Sequence, residues 1–295
     1  MEERHKKPKV VKEKTIGDLI FFGHKELINK ASSRIEAEML LSYVTKQNKL
    51  SLYQNWLNKV DRSSEFRYKQ LLKKRAKGAP LSYLTNKREF FALSFFVNQH
   101  TLIPRHETEI LVEETIAQIK KYPIQPVKII EIGTGSGAIS IALAHHCGDI
   151  LIDALDISEK ALEVAKENAR NHHLLHRIHF FQSDLFSKVP EQRQYHFVVS
   201  NPPYIPNEQI PSLSKEVQSE PKIALDGGKD GLEVIRSLIH QSKQYLVPGG
   251  CLVFEIGYQQ KQSALKLMKE SGFTNLFVKD DLSGIPRIIG GFLLS

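Results

Sequence analysis

The first part of the chain, from residue 15 to about residue 77, carries apolar residues at helical spacing. Residues three or four apart share one face of a helix, so this spacing predicts a small domain of helices, each with a buried face. Ser32 or Ser33 is suited to begin the second helix, and Asp61 or Ser63 a later one, because short polar side chains accept hydrogen bonds from free helix N–H groups. The apolar positions are Ile16, Leu19, Ile20, Leu27, Ile35, Met39, Leu40, Phe66, Leu71 and Leu72.

A different pattern follows in residues 88–98, which read REFFALSFFVN. Two aromatic runs flank Ala92 and Leu93, and this arrangement predicts a β-hairpin that links two domains. The segment TLIPRHETE (101–109) comes next, and a helix is predicted over about residues 107–121.

From residue 127 onward, short apolar runs alternate with amphipathic helical segments. Repeated alternation of this kind predicts an α/β domain whose mainly parallel sheet is covered by helices on both faces. The last two runs, near residues 275–279 and 288–294, have no helix between them and predict an antiparallel pair at one edge. The clearest runs are VKIIEI (127–132), ILIDALDI (150–157), YHFVVS (195–200) and CLVFEI (251–256).

Composition and charge narrow the class of protein. The 295 residues are 41% hydrophobic, as in a globular protein with a sizeable core, and carry a formal net charge of +8. No apolar stretch is long enough to cross a bilayer, and the N-terminus MEERHKKPKVVKEK lacks the apolar core of a secretory signal. The positive charge fits an anionic partner or a solvated basic surface, and residues 1–14 are predicted to be a flexible basic tail.

The cysteines and histidines do not predict a metal or disulfide site. Cys147 and Cys251 lie far apart in apolar contexts, which predicts two buried thiols and a reducing, cytoplasmic location. His172 and His176 can share one helical face, but no cysteine accompanies them at a helix end, so no metal site is predicted.

A glycine-rich loop stands at the first strand-to-helix junction, in the sequence EIGTGSGAIS (131–140). Gly133, Gly135 and Gly137 allow a tight turn that a ligand can approach closely. Their G-x-G-x-G spacing differs from the G-x-G-x-x-G of dinucleotide-binding proteins, and the loop contains no lysine to contact a phosphate. The loop alone is weak evidence for any one cofactor.

The next two strands end in carboxylates. Asp156 ends the second strand, where an acidic residue can accept hydrogen bonds from both ribose hydroxyls of an adenosine. Asp184 ends the third, where a carboxylate can accept from an adenine amino group and Leu185 can pack on the ring. A glycine turn, a ribose acceptor and an adenine acceptor suit an adenosine cofactor without phosphates, and they predict S-adenosylmethionine.

The fourth strand is followed by NPPY, residues 201–204. An amide or exocyclic amine is a poor nucleophile because its nitrogen lone pair is delocalised, so a catalyst gains by orienting it. The Asn201 side-chain oxygen and the Pro202 carbonyl can each accept one N–H, so that the lone pair faces the methyl donor. Pro202 and Pro203 stiffen the loop, and Tyr204 offers a flat wall for the planar group.

Taken together, these segments resemble the HemK/PrmC family of protein-(glutamine-N5) methyltransferases, which modify peptide-chain release factors. The resemblance covers nearly the whole chain, and TLIPRHETE is more specific than NPPY, which also occurs in DNA adenine methyltransferases. It implies that Asn201 to Tyr204 grip the glutamine of the release factor's Gly-Gly-Gln loop. The residues implied to bind S-adenosylmethionine are Gly133, Thr134, Gly135, Ser136, Gly137, Asp156, Asp184, Leu185 and Asn201. The motifs in family order are IEAEMLLSYV, PLSYLTNKREFFALSFFVNQHTLIPRHETEILVE, EIGTGSGAIS, DALDIS, SNPPYI, EPKIALDGGKDGL and GIPRIIGG.

The same resemblance implies a Rossmann-like, class I methyltransferase domain with a mainly parallel seven-stranded sheet, an antiparallel edge and a small N-terminal helical domain. Residues 15–85 would recognise the release factor, residues 86–100 would form the linker, and residues 101–295 would be catalytic. The partner would be a class-1 release factor, with neither a membrane nor direct nucleic-acid binding.

The sequence departs from the family pattern at two positions. Asn86 replaces a glycine in a turn, and asparagine tolerates the positive φ that such a turn requires. His106 replaces a proline in the signature, which reduces the expected rigidity of that loop. Two other functions remain open: a DNA adenine-N6 methyltransferase, which would require base flipping, and a nucleic-acid-binding protein that uses the fold as a scaffold without catalysis.

Overall fold

A computed structural model of the chain describes residues 13–294, so most of the predicted basic tail lies outside the described residues. Contacts divide the chain into two compact units, with the division between Thr85 and Asn86. Residues 13–85 form the helical unit, and residues 86–294 form the sheet unit.

The helical unit packs its helices around a core that includes Leu19, Leu40 and Tyr68, all fully buried. Asp61 caps the fourth helix, α4 (Arg62–Ala76), through a hydrogen bond from the Ser64 N–H. The second helix buries a different face from the one that spacing predicted: Leu40 is buried with its neighbour Leu41, but Ile35 and Met39 are exposed. The helices are α1 (Ile16–Glu26), α2 (Ser33–Thr45), α3 (Lys49–Gln54), α4 (Arg62–Ala76) and α5 (Leu81–Thr85).

The sheet unit begins with the predicted hairpin, formed by β1 (Arg88–Phe90) and β2 (Leu93–Phe95). Phe91 and Ala92 make the turn, both with φ near +55° (50° and 58°), in the left-handed region that most residues avoid. The Phe91 N–H donates to the Glu109 carboxylate at 2.9 Å, which holds the turn from outside the hairpin.

Within residues 13–294, the main sheet has seven strands, numbered β3 to β9 along the chain from Val127 to Leu293. Their order across the sheet is β5-β4-β3-β6-β7-β9-β8. Strands β3 to β7 pair in parallel, whereas β9 runs antiparallel to both β7 and β8. The predicted Rossmann-like fold with an antiparallel edge is confirmed. The strands are β3 (Val127–Ile132), β4 (Ile150–Asp156), β5 (Ile178–Gln182), β6 (Tyr195–Ser200), β7 (Leu246–Glu255), β8 (Phe273–Asp280) and β9 (Pro286–Leu293).

Helices cover both faces of this sheet. Ile130 and Ile132 of β3 pack into one hydrophobic core with residues of the last two helices, including Leu238 and Met268. Because side chains alternate along a strand, Glu131 lies on the opposite face, where it accepts hydrogen bonds from α7. The helices are α6 (Glu109–Ile119), α7 (Ala138–His146), α8 (Glu159–Asn171), α9 (Lys215–Gln218), α10 (Glu233–Tyr245) and α11 (Lys261–Glu270), with 3₁₀ turns at Asn207–Ser212 and Lys222–Ala224.

The two cysteines, Cys147 and Cys251, are free and buried, as predicted. Among residues 13–294, no helix has the length and hydropathy needed to span a membrane.

Candidate active site

A cleft of about 540 Å³ lies at the carboxyl ends of the central strands of the sheet unit. Strand β3 has β4 on one side and β6 on the other, so the chain reverses its direction of progress across the sheet at β3. Ligands bind at such a switch point in open α/β sheets, because the loops on either side diverge there. Another cavity, of about 510 Å³ beside Asp153 and Arg193, contains none of the predicted site residues.

Most of the predicted site residues line this cleft, whereas Thr134, Ser136, Gly137 and Tyr204 do not. Among the lining residues that were not predicted are His100, which precedes the TLIPRHETE loop, and Thr101 and Leu102, which begin it. The lining includes the predicted residues Gly133, Gly135, Asp156, Asp184, Leu185, Asn201, Pro202 and Pro203.

The glycine turn follows β3 and leaves space for a ligand. Gly133 and Gly135 have φ of +75° and +55°, and a Cβ at either position would meet no atom within 4 Å. Their hydrogens therefore face open space, and only a residue without a side chain brings the backbone that close to a bound molecule. Gly137, with φ of +80°, has another role, since a Cβ there would lie 3.2 Å from the Cβ of Ala165 in α8.

Asp156 connects the end of β4 to the glycine turn. Its two carboxylate oxygens accept one backbone N–H each, from Gly135 at 2.8 Å and from Ser158 at 2.9 Å. The pKa of Asp156 is raised by burial, and these hydrogen bonds offset only part of the rise. Each oxygen has a second lone pair, so the carboxylate can hold the turn and still accept from ribose hydroxyls.

Thr134 and Ser136 belong to the glycine turn, and Glu131 lies in the strand that precedes it. None of the three lines the cleft. Glu131 is fully buried and accepts hydrogen bonds from the Thr134 hydroxyl at 2.8 Å and from the backbone N–H of Ser140 at 3.1 Å. The Ser140 hydroxyl donates to the same oxygen, Oε2. Burial raises the pKa of Glu131 to about 7. Ser136 is buried, and its carbonyl accepts from the Asn168 side chain at 2.9 Å.

Asp184 and Leu185 follow strand β5 and lie in the cleft wall. Leu185 has a φ of +45°, and its side chain packs partly against the main hydrophobic core. The side of the cleft predicted for adenine therefore carries a carboxylate and an aliphatic surface.

The NPPY segment follows β6 and is divided between the cleft and the interior. Asn201 Nδ2 donates to the Thr108 hydroxyl at 3.0 Å, and that hydroxyl donates to Glu255 Oε2 at 2.6 Å. Tyr204 is not among the lining residues: its ring packs against the core and its hydroxyl donates to Glu255 Oε1 at 3.1 Å. Its predicted role as a wall for the substrate stays a prediction.

A distant segment, which includes GGKDGL, holds the backbone of the NPPY loop. Ile205 exchanges hydrogen bonds with Leu225 and Gly227, and Gln260 Nε2 donates to the Tyr204 carbonyl at 3.0 Å. A Cβ at Gly227 would lie 2.8 Å from the Tyr204 Cα, and one at Gly231 would lie 2.4 Å from the Tyr204 carbonyl oxygen. These two glycines are required because the loop packs directly on their backbone.

The signature loop is attached to the same segment. Glu220 is buried and accepts from the Arg105 guanidinium at 2.5 Å and from the Ile103 backbone N–H at 3.0 Å. Arg105 thus makes an ion pair within the protein. His106 is exposed, 3.5 Å from the Glu109 carboxylate, and Asn86 has the positive φ, +51°, expected of a residue that replaces glycine in a turn.

Comparisons with known proteins agree with this geometry. Residues 20–85 match a family model described as the PrmC N-terminal domain, and residues 107–228 match the methyltransferase small domain. The release factor glutamine methyltransferase of Geobacter sulfurreducens is 36% identical over 88% of this chain and 89% of its own length. The chain belongs to the release factor glutamine methyltransferase family. The family's enzyme from Moorella thermoacetica is 38% identical over 86% of this chain and 89% of its own.

Members of this family are S-adenosylmethionine-dependent protein-(glutamine-N5) methyltransferases, and this chain is one of them. A methyltransferase from Pyrococcus furiosus has a similar fold, with a TM-score of 0.51, 17% identity, and coverage of 78% of this chain and 99% of that chain. The prediction of fold, enzyme class and cofactor is confirmed.

Proposed function

We propose that this enzyme methylates the side-chain amide nitrogen of the glutamine in the Gly-Gly-Gln motif of class-1 peptide-chain release factors. One observation carries the proposal: Asn201, held by Thr108, lines the same cleft as the glycine turn and Asp156. An amide-bearing residue beside a cofactor pocket suits an amide substrate that needs orientation. The choice of a release factor as the substrate is supported by the relatives, which are release factor glutamine methyltransferases.

The cleft residues fit the cofactor. The open glycine turn leaves space for a ligand next to its backbone, and Asp156 and Asp184 line the same cleft. There Asp156 would accept from the ribose hydroxyls and Asp184 from the adenine amino group. When bound, S-adenosylmethionine supplies an electrophilic methyl group on a positively charged sulfur. Gly133 and Gly135 would lie against it, and Leu185 would pack against its base.

The chain's own residues position the glutamine amide. The Asn201 side-chain oxygen and the Pro202 carbonyl each accept one N–H of the substrate, which aims the nitrogen lone pair into the cleft. S-adenosylmethionine held by the cleft residues would supply the methyl group to this nitrogen, and the amide would give up one proton to solvent. Because orientation performs the catalysis, no general base is required.

The remaining assignments form part of the same proposal. We propose that residues 15–85 recognise the release factor, that residues 86–100 link the two domains, and that residues 101–295 form the catalytic domain. Two free, buried cysteines suit a reducing cytoplasm, where release factors act. Direct binding of nucleic acid is not required for this substrate.

Mass spectrometry of a release factor tests the proposal. The factor is incubated with the protein and S-adenosylmethionine, and one added methyl group is expected on the glutamine of Gly-Gly-Gln. The Asn201→Ala variant is expected to lose turnover while it retains much of its cofactor affinity. Methyl transfer to adenine in DNA oligonucleotides, with none to the release factor, would refute the substrate assignment.

A further inference from the structure

Three hydrogen bonds connect the NPPY segment to the interior. Thr108 precedes α6, Glu255 ends β7, and Asn201 and Tyr204 follow β6. The distances are 3.0 Å from Asn201 Nδ2 to Thr108 Oγ1, 2.6 Å from Thr108 Oγ1 to Glu255 Oε2, and 3.1 Å from the Tyr204 hydroxyl to Glu255 Oε1. Thr108 and Glu255 are 4% and 1% exposed, so the connection is shielded from water.

The chemistry of these groups gives the connection a direction. Burial raises the pKa of Glu255 to about 7, so above that pH Glu255 is a carboxylate that only accepts hydrogen bonds. The single hydroxyl hydrogen of Thr108 then points to Glu255, and the tests below are made at about pH 8. Thr108 Oγ1 can then only accept from Asn201, and the group that donates to it must be the Asn201 NH₂. If the amide were reversed, its oxygen would face Thr108 Oγ1 with no hydrogen between them, and two acceptors in a buried site repel each other.

We propose that Thr108 and Glu255 are positioning residues that set the orientation of the Asn201 amide and so make its oxygen the acceptor for the substrate N–H. The inference rests on the proposed function, in which that oxygen orients the glutamine. Tyr204 donates to the second oxygen of Glu255 and thereby holds the carboxylate in place from the NPPY side. The TLIPRHETE signature contributes to the reaction through its second threonine, Thr108, which acts through Asn201.

The first test measures kcat and KM for release-factor methylation in three variants. Thr108→Val has the same shape but no hydroxyl, and it is expected to lower kcat by about tenfold to a hundredfold, as a misplaced catalytic group does. Thr108→Ser restores the hydroxyl and is expected to stay within about threefold of the parent. Glu255→Gln can donate as well as accept, so it no longer imposes the direction and is expected to lower kcat with little change in the Kd of S-adenosylmethionine.

Thr115→Val is the matched control. Thr115 is a fully buried threonine on α6 whose hydroxyl donates to the Leu111 carbonyl at 2.7 Å, away from the cleft. It is expected to lower the melting temperature and leave kcat near that of the parent. An equal loss of kcat in Thr108→Val and Thr115→Val, or full activity in Thr108→Val and Glu255→Gln, would overturn the inference.

A second readout is independent of the substrate. In protein labelled with ¹⁵N-asparagine, the side-chain NH₂ signal of Asn201 is identified by its absence in Asn201→Ala. This signal is expected to move in Thr108→Val and to keep its position in Thr108→Ser. If the signal behaves so but no release factor is methylated, the positioning inference stands and the substrate proposal fails. A signal unchanged by Thr108→Val would overturn the inference directly.

Discussion

Replacement of Glu131 by glutamine is expected to remove one defined share of the pH dependence of stability in the sheet unit, where burial raises the pKa of both Glu131 and Glu255 to about 7. Burial raises the pKa of the Glu131 carboxyl from the ordinary 4.5 to about 7, and Asp156 adds a smaller rise. Between these two values the folded protein holds a proton that the unfolded chain releases. The free energy of unfolding therefore falls as pH rises through this window and levels off above about 7.

The magnitude follows from the difference between the two pKa values. Each pH unit across the window is worth about 1.4 kcal/mol, so the whole difference corresponds to about 3 kcal/mol. Of this, about 2 kcal/mol is lost between pH 5 and pH 7.5, because the unfolded carboxyl is already largely ionised at pH 5. Glutamine has the same shape and does not titrate in this range. Glu131→Gln should therefore lose about 2 kcal/mol less than the parent over this interval.

Urea unfolding at pH 5 and pH 7.5, without cofactor, measures the effect. Far-UV circular dichroism follows the sheet, and fluorescence of the single tryptophan, Trp56, reports separately on the helical unit. The exposed Glu113→Gln provides the control for a loss of carboxylate at the surface. If the parent and Glu131→Gln lose the same stability over this interval, the buried carboxyl does not hold the proton, and the reasoning is wrong.

Three further changes test other parts of the structure. Asp156→Asn should weaken S-adenosylmethionine binding by about tenfold or more, measured by calorimetry, because a neutral amide oxygen is a weaker acceptor for ribose hydroxyls; unchanged affinity would count against the ribose role. Gly227→Ala should lower kcat even well below its melting temperature, where the protein is folded, since its Cβ would lie 2.8 Å from the Tyr204 Cα and displace the NPPY loop. Tyr68→Phe should cost the helical unit about 1 kcal/mol in urea unfolding followed by Trp56 fluorescence, because it removes buried hydrogen bonds to backbone carbonyls; a stability equal to that of the parent would contradict this.

Sequence reasoning predicted the sheet unit well because alternating apolar strands and amphipathic helices admit few topologies. It was less accurate where tertiary contacts decide local structure. Phe91 and Ala92 lack the usual residues of a tight hairpin turn, and their turn is stabilised by Glu109 from the next helix. Ile35 and Met39 have helical spacing but face away from the core, because the neighbouring helices select which apolar face is buried.

The cleft-lining residues that were predicted each lie at or just after the end of a strand, whereas those in residues 100–102 and 221–241 do not and were missed. Thr108 and Gln260 could not be predicted, since their roles depend on segments that meet only in the folded chain. Glu255 did carry a signal in the sequence: a single carboxylate inside the apolar run CLVFEI is costly to bury unless it has partners. The same signal occurs at Glu131 in VKIIEI.

Apart from Thr108, the residues that hold the NPPY loop come after it in the chain. Gln260, whose side chain donates to the Tyr204 carbonyl, lies 56 residues beyond it, and Glu255 pairs with Ile288 of β9 near the C-terminus. Synthesis proceeds from the N-terminus, so on the ribosome the glycine turn and NPPY emerge before the residues that fix them in place. We expect the nascent protein to acquire methyltransferase activity only after β7 and β9 have left the ribosome, and a messenger truncated before β7 to yield an inert product.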